Sequence, residues 1–442
     1  MRRTKVVFVR PPNLQKSGLW KKQGVIRSPL NIALLSSYIR EKGSYECALV
    51  DFEITPATTP EEMAEVILKE NPRYVCFTSL TPRYPILIKI AREIKRLDSS
   101  IVNIVGGPHV TGTPQTSLFD GIDYGIIGEG EEALLELLNL LEKKENLQKI
   151  GNLLFRVKDN VIVNPARPFI KDLDKLPLPA WDLMVLNEYL DPIYFEGSHL
   201  GIFTSRGCPY DCIFCASNVT WKRKIRFRSL ENIIKEIRYI TDVLKVKNLM
   251  FFDDNFDANK VRAKELCNYL IKEKLNVKYT VQIRADSITS ELAEALKKSG
   301  CLFAAIGVES GNEEMLKRIG KRETKEQIRK GVRILKEANM PIIASFIIGL
   351  PGDTHETIKE TIDFAFELKT DQLKFMLLAI VPGTNAYDLA NKKGLIDPFS
   401  FEQMEGTGFY DSVSINLSNV SVEDLIRYQD QAYASFDSLH NK

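Results

Sequence analysis

Short, mostly apolar runs without polar alternation alternate with helical patterns over the first 145 residues. KVVFV (5–9) ends at RPPN, and CALVDFE (47–53) follows the helical stretch NIALLSSYIREKG. YVCFTSL (74–80), ILIKIAREIKRL, VNIVGG (102–107), DYGIIGEG (123–130) and EEALLELLNLLEKK continue the same rhythm. Runs without polar alternation predict strands buried on both faces, and helices between them predict a parallel sheet covered on both sides. Residues 1–145 are therefore expected to form an α/β, doubly wound (Rossmann-like) domain, with Gly43 as a helix stop.

Residues 146–195 interrupt the pattern. NLLFRVKDNVIVN predicts a hairpin turning at Asp159 and Asn160, and PARPFIKDLDKLPLPAWDLM predicts a linker laid over a surface. The alternation resumes with GIFTS (201–205), NLMFF (248–252), KYTVQIR (278–284), CLFAAIGVES (301–310), PIIASFIIGL (341–350) and LKFMLLAI (373–380). Six strand-helix units over residues 196–390 predict a partial (β/α)6 barrel of the TIM type, with functional groups at the C-terminal strand ends. EDLIRYQDQAYASFDSL predicts a helix within a small C-terminal segment, 391–442.

Composition narrows the partners. Lys and Arg (60) nearly balance Asp and Glu (58), which points away from nucleic acid and toward a small molecule. The longest apolar runs, such as IIASFIIGL, fall short of the roughly 18 to 20 residues that span a bilayer. MRRTKVVFVRPP lacks a signal-peptide core with a cleavage site, so a cytoplasmic location without a membrane span is expected. Of seven cysteines, Cys47, Cys76, Cys267 and Cys301 are scattered, whereas Cys208, Cys212 and Cys215 fall within eight positions of TSRGCPYDCIFCASN. In a reducing compartment such a cluster suits a metal site better than disulfides.

Thiolates hold zinc or iron-sulfur clusters. Structural zinc wants a fourth protein ligand, and only Cys267 or Cys301 would serve, if folding brought one close. A cubane on three cysteines keeps one iron open to chelate a small molecule. CPYDCIFC matches the CxxxCxΦC pattern, with Phe214 as the aromatic, in the loop after the first barrel strand; in this it resembles the radical S-adenosylmethionine (SAM) enzymes. The resemblance implies a 4Fe-4S cluster on Cys208, Cys212 and Cys215. It also implies SAM cleaved to a hydrogen-abstracting 5'-deoxyadenosyl radical, and an electron donor such as flavodoxin or ferredoxin.

The family's other SAM contacts have counterparts here. After the second strand, FFDDNF offers Asp253, Asp254 and Asn255 to the methionine amino group, and acidic side chains suit an ammonium. GVESG offers Glu309, similar to the acidic residue at the ribose hydroxyls, with Ser310 beside it. GLPGDT resembles the adenine turn, where Gly349, Pro351 and Gly352 allow close backbone approach. Gln282 and Arg284 end the third strand and are candidates to meet the SAM carboxylate or the substrate. Each alone is a weak signal; their order at successive strand ends is the specific one.

The first domain resembles the cobalamin-binding domain that precedes the barrel in one large radical SAM class, and the resemblance covers nearly all of residues 1–390. Ligands of doubly wound sheets lie beyond the strand C-terminal ends. The candidate cobalamin contacts are Arg10, Pro11, Pro12 and Asn13; Ser79, Leu80, Thr81 and Arg83; Gly106, Gly107, His109, Val110 and Thr111; and Gly128, Glu129 and Gly130. The cobalt-ligating DxHxxG pattern is absent: DTHETI lacks the glycine and lies in the barrel, and His109 has no paired Asp. Members of this class commonly leave the lower face of cobalt free of histidine. The resemblance implies a cobalamin-dependent methyltransferase acting on an unactivated carbon of a small molecule. A cyclase or rearrangement enzyme uses the same cofactors without methyl transfer. A tRNA methylthiotransferase needs three N-terminal cysteines, and only Cys47 and Cys76 stand there. A cobalamin carrier with a structural metal would cleave no SAM.

Overall fold

The computed structural model describes residues 3–13, 24–406 and 412–440. Its first sheet contains β1 (Thr4–Arg10), β2 (Tyr45–Asp51), β3 (Tyr74–Thr78), β4 (Val102–Gly106) and β5 (Tyr124–Ile126), all parallel, followed by β6 (Leu153–Val157) and β7 (Asn160–Val163). The strand order is β2-β1-β3-β4-β5-β6-β7. Alternate residues of β1 feed two cores: Val6 and Phe8 pack with Ile32, Ile39 and Leu134, and Val7 and Val9 pack with Met63, Ile67 and Leu87. Helices Leu30–Lys42 and Glu131–Lys143 thus cover one face, and Pro60–Lys69 and Tyr84–Leu97 the other. The helix Pro60–Lys69 is an addition to the sequence reading, and it starts at a Thr59/Glu62 capping box.

Three expectations change. The hairpin does not belong to a linker: β6 pairs antiparallel with β5 and extends the first sheet. Its turn is Lys158–Asp159, since Asn160 already pairs with Val157. Gly43 stops its helix in an extended conformation (φ −121°), and space is what demands glycine there, because a Cβ would lie 2.8 Å from Leu135 Cδ1 and from Ile39 O. The proline-rich segment is not laid over a surface; Leu173, Trp181 and Tyr189 share a core with Leu30 and Ala33 of the first domain and with the barrel strands.

In the second half, β8 (His199–Ile202), β11 (Asn248–Phe251), β12 (Lys278–Ile283), β13 (Cys301–Glu309), β14 (Ile342–Ile348) and β15 (Gln372–Leu377) are parallel neighbours in chain order. This is the partial barrel. Between β8 and β11, the two-residue strands β9 (Ser205–Arg206) and β10 (Arg226–Phe227) form an antiparallel ladder. Helix Phe401–Gly406 returns to the first domain, where Met404 joins the core of Met63 and Leu87. The final helix Val422–His440 packs on β14 and β15, with Tyr433 Oη accepting from Phe375 N at 3.1 Å. No described helix is long and apolar enough to cross a membrane.

Candidate active site between the two domains

The β9/β10 ladder closes the base of the cysteine loop. Closure requires glycine at position 207, where φ is +100° and a Cβ would lie 2.1 Å from Lys224 O. The loop is fixed at its far side as well: Ile213 N donates to Ile319 O (3.0 Å), Ala386 N donates to Ile213 O (2.9 Å), and Cys212 Sγ lies 3.8 Å from Gly320 O. Cys208, Cys212 and Cys215 are free and half-buried, and Phe214 packs on the barrel core. Burial pushes all three thiols up, Cys215 to about 12, while Lys321 and Arg284 oppose the rise at Cys212 and Cys208.

This donor set can be tested against the two metals that the spacing allows. Among the described residues, no three Cys, His, Asp or Glu side chains converge on a single ion. Cys301 opens β13 and Cys267 lies beside Tyr279 Oη at 3.5 Å, at the opposite end of the strands from the loop, so neither completes a zinc site. Three thiols spread along one loop, beside the buried cations Lys321 and Arg284, fit a cubane, whose thiolates hold separate irons.

At the strand ends the SAM candidates divide. Asp253 faces away from the ligand space, because its carboxylate accepts from Thr204 N, Thr204 Oγ1 (2.7 Å) and Ser205 Oγ (2.5 Å), tying the end of β8 to the end of β11. Asp254, one position on, lines the cavity described below. Burial raises its pKa. Asn255 is buried, and neither amide atom has a hydrogen-bond partner within the described residues. Glu309 ends β13 at a register irregularity against β14 and holds φ +70°, a left-handed backbone that costs a non-glycine residue about 1–3 kcal/mol. Its carboxylate lies 3.4 Å from Lys321 Nζ.

Ser310 is not free to take part, since its hydroxyl pairs with Thr361 Oγ1 (3.1 Å) and accepts from Asn312 N (3.2 Å). Arg284 is likewise engaged: it forms a fork to Asp286 (2.9 and 3.0 Å), reaches Glu323 (3.4 Å) and stacks on Tyr210 (3.7 Å). Gln282 stays exposed between buried Val281 and Ile283. Gly349 and Gly352 have φ +88° and +84°, and the Asp353 carboxylate accepts from Gly349 N (3.1 Å) and Leu350 N (2.8 Å), pinning the turn that contains Pro351.

A cavity of about 560 Å³ lies between the domains. From the first domain it is lined by Arg10, Ser79, Leu80, Arg83, Gly106, Gly107, Gly128, Glu129 and Gly130, and from the second by Phe203, Ser205, Arg206, Trp221, Phe252 and Asp254. It deepens into an apolar slot between Phe8, Cys76 and Ile104 of the sheet and Ile32, Leu35 and Leu134 of the helices. Glycine-edged loops at the mouth and an apolar slot behind them fit a large ring with an aromatic tail.

Several cobalamin candidates stand outside this lining. Pro11, Pro12 and Asn13 lie beyond β1, where Pro11 O accepts from Arg83 Nη1 (3.1 Å) and Asn13 N donates to Glu53 Oε1 (2.9 Å). Thr81 and Val110 are buried, and Thr111 Oγ1 accepts from Gly128 N (3.0 Å), bracing one loop on the next. His109 corrects the expectation most plainly. Its ring is only 3 % exposed, 4.0 Å from the Tyr84 ring, with Nδ1 3.2 Å from Thr81 Oγ1. Burial lowers its pKa to about 3, so it is a neutral core residue turned away from the cavity. Glu129 lines the cavity with its carboxylate engaged by Arg206 (2.7 Å), Arg226 (2.8 Å) and Ile170 N (2.9 Å).

Sequence reasoning missed the other half of that interface. Arg206 Nη2 donates to Glu131 Oε1 at 2.6 Å, and Trp221 and Phe203 flank its guanidinium at 5.9 and 5.0 Å. The available signal was position, since Arg206 directly precedes the Gly-Cys of the cysteine motif.

Ligand space shared by a doubly wound domain and a partial barrel, with a three-cysteine loop on the barrel side, suits an enzyme class that works with two cofactors across one interface. The comparisons agree. The Radical SAM superfamily profile matches residues 202–365, and the B12 binding domain profile matches residues 21–138. An uncharacterized methyltransferase of Pyrococcus horikoshii is 30% identical over 441 residues, covering 99% of this chain and 93% of that one. The anaerobic magnesium-protoporphyrin IX monomethyl ester cyclase of Rubrivivax gelatinosus is 25% identical, covering 85% and 68%. The fold is also that of the radical SAM methyltransferase TsrM from Kitasatospora setae, with TM-score 0.72, 19% identity, and 89% and 76% of the two chains covered. The chain belongs to the cobalamin-binding radical SAM enzyme family.

Proposed function

We propose that the protein is a cobalamin-dependent radical SAM methyltransferase that adds a methyl group to an unactivated carbon of a small molecule. The observation carrying this reading is a cavity whose wall joins Ser79, Gly106 and Gly128 of one domain to Asp254 and Ser205 of the other. When bound, cobalamin supplies a methyl carrier, and a 4Fe-4S cluster supplies the electron that cleaves SAM.

The chain's own residues bind, orient and exclude water. Cys208, Cys212 and Cys215 would hold the cluster, with Lys321 and Arg284 balancing its charge. Asp254 would receive an ammonium, Glu309 would accept from ribose hydroxyls, and Gly349 and Gly352, with φ +88° and +84°, would let an adenine lie against backbone. The unpartnered amide of buried Asn255 supports a ligand contact beside Asp254. Leu30, Leu34, Phe203 and Phe252 give the shared cavity dry walls. An electron donor of the flavodoxin or ferredoxin type and a cytoplasmic setting complete the reading, supported by seven free cysteines.

The near full-length relative designated a methyltransferase favours methyl transfer. The cyclase relative favours a second reading, ring closure with the same cofactors. Anaerobic incubation with SAM, reductant and hydroxocobalamin separates them by product mass. A product heavier by one methylene supports methyl transfer, and a product that only loses hydrogen supports cyclisation.

A further inference from the structure

Two basic segments embrace the cysteine loop. WKRKIRFR (221–228) carries five Lys and Arg and KRIGKR (317–322) carries four, with no Asp or Glu in either, in a chain whose charges nearly cancel overall. Arg226, Arg228 and Lys321 turn inward to Glu129 (2.8 Å), Glu236 (2.5 Å) and Glu309 (3.4 Å). Lys222, Arg223, Lys224, Arg318 and Arg322 remain exposed, and none of the five lines the cavity. Lys317, also exposed, pairs with Glu314 at 2.7 Å.

The segments meet on the loop itself. Asp211, between Cys208 and Cys212, pairs with Arg223 at 3.5 Å and Arg322 at 3.0 Å. Lys224 backbone closes over Gly207 on one side of the loop, while Ile319 O receives Ile213 N on the other. Lys222, Arg223 and Arg322 also hold left-handed backbone, with φ +49°, +62° and +57°.

We infer that this collar is the docking face for an acidic one-electron carrier protein, an inference that rests on the function proposed above. The carrier would give up one electron to the cluster that Cys208, Cys212 and Cys215 would hold. Exposed charges of one sign around the entry point steer an oppositely charged partner and make its binding salt-dependent. RNA is the other polyanion to weigh. The aromatic residues among these cations are covered, Trp221 by Arg226 at 5.3 Å and Phe227 by Arg262 at 5.0 Å, so they offer no platform for stacked bases.

The test uses the full chain, reconstituted anaerobically, with purified flavodoxin and ferredoxin as probes. Calorimetry should show at least one carrier binding, with affinity falling about tenfold or more between low and physiological salt. Lys222→Glu/Lys224→Glu should weaken that binding about tenfold and slow carrier-driven SAM cleavage in step. Dithionite-driven cleavage should be unchanged, and Lys222→Arg/Lys224→Arg should behave like the parent. Binding of neither carrier, equal binding by the charge-reversed chain, or tighter binding of an RNA oligonucleotide would each overturn the docking face. The binding arm decides it whatever dithionite does, whereas failure of dithionite to drive any SAM cleavage counts against the proposed function itself.

Discussion

Arg206 donates to Glu131 at 2.6 Å, and this bond joins the strand that precedes the cysteine loop to the helix that borders the cavity in the first domain. Glu129 binds the same guanidinium at 2.7 Å and Arg226 at 2.8 Å, which makes a buried four-residue network across the domain interface. Burial disfavours the ionised Glu131, but Arg206 overcomes it and holds the carboxyl below its ordinary range.

Breaking one side of that network leaves a buried charge without its partner. Arg206→Met should therefore lower unfolding stability by about 3–5 kcal/mol in a urea titration, and should reduce retained cobalamin as well. A loss below about 1 kcal/mol would mean that the network is solvated and does not hold the domains together.

Gly207→Ala forces a Cβ to within 2.1 Å of Lys224 O at a left-handed backbone. The ladder must open, so reconstituted iron should fall at least severalfold while far-ultraviolet circular dichroism stays that of the parent. Full iron occupancy in this variant would show that the ladder does not shape the cysteine loop.

Glu309→Gln keeps shape and removes charge. SAM affinity should fall about tenfold or more, consistent with a lost charge-assisted hydrogen bond of roughly 1.5–3 kcal/mol, with iron content unchanged. Unaltered SAM affinity by equilibrium dialysis would remove Glu309 from the ribose role.

His109 makes the fold acid-sensitive. Its pKa is lowered by burial to about 3, whereas the unfolded chain protonates near the ordinary 6.5. Between those values the unfolded state binds a proton that the native state refuses, so stability falls as pH drops below about 6.5. The penalty reaches about 2 kcal/mol near pH 5, and His109→Gln should remove it. Comparing the fall in Tm from about pH 7.5 to about pH 5 in parent and variant checks this. His199, lowered by burial to about 4, acts with the same sign and keeps the variant's fall above zero.

The strands were legible because burial on both faces writes itself as uninterrupted apolar runs, and the cysteine loop because a three-thiol spacing is local. What was not legible depends on partners distant in the chain. The strand pair 153–163 reads as a hairpin wherever it docks, and only its pairing with Tyr124–Ile126 places it in the first sheet. Asp253 and Asp254 are the same residue type in adjacent positions, and only the bonds to Thr204 and Ser205 separate the structural one from the one facing the cavity. His109 looked like a loop residue until Tyr84 and Thr81 closed around it. Arg206 and Glu131 are 75 positions apart, and no periodicity links them.

The central claim is that one chain holds both a cluster and cobalamin across one cavity. The most direct measurement is iron and cobalt per chain after anaerobic reconstitution with iron, sulfide and hydroxocobalamin, followed by desalting. The account predicts about four irons and about one cobalt, with iron lost in Cys208→Ala while cobalt is retained. Full iron without retained cobalt, or undiminished iron in Cys208→Ala, would contradict it.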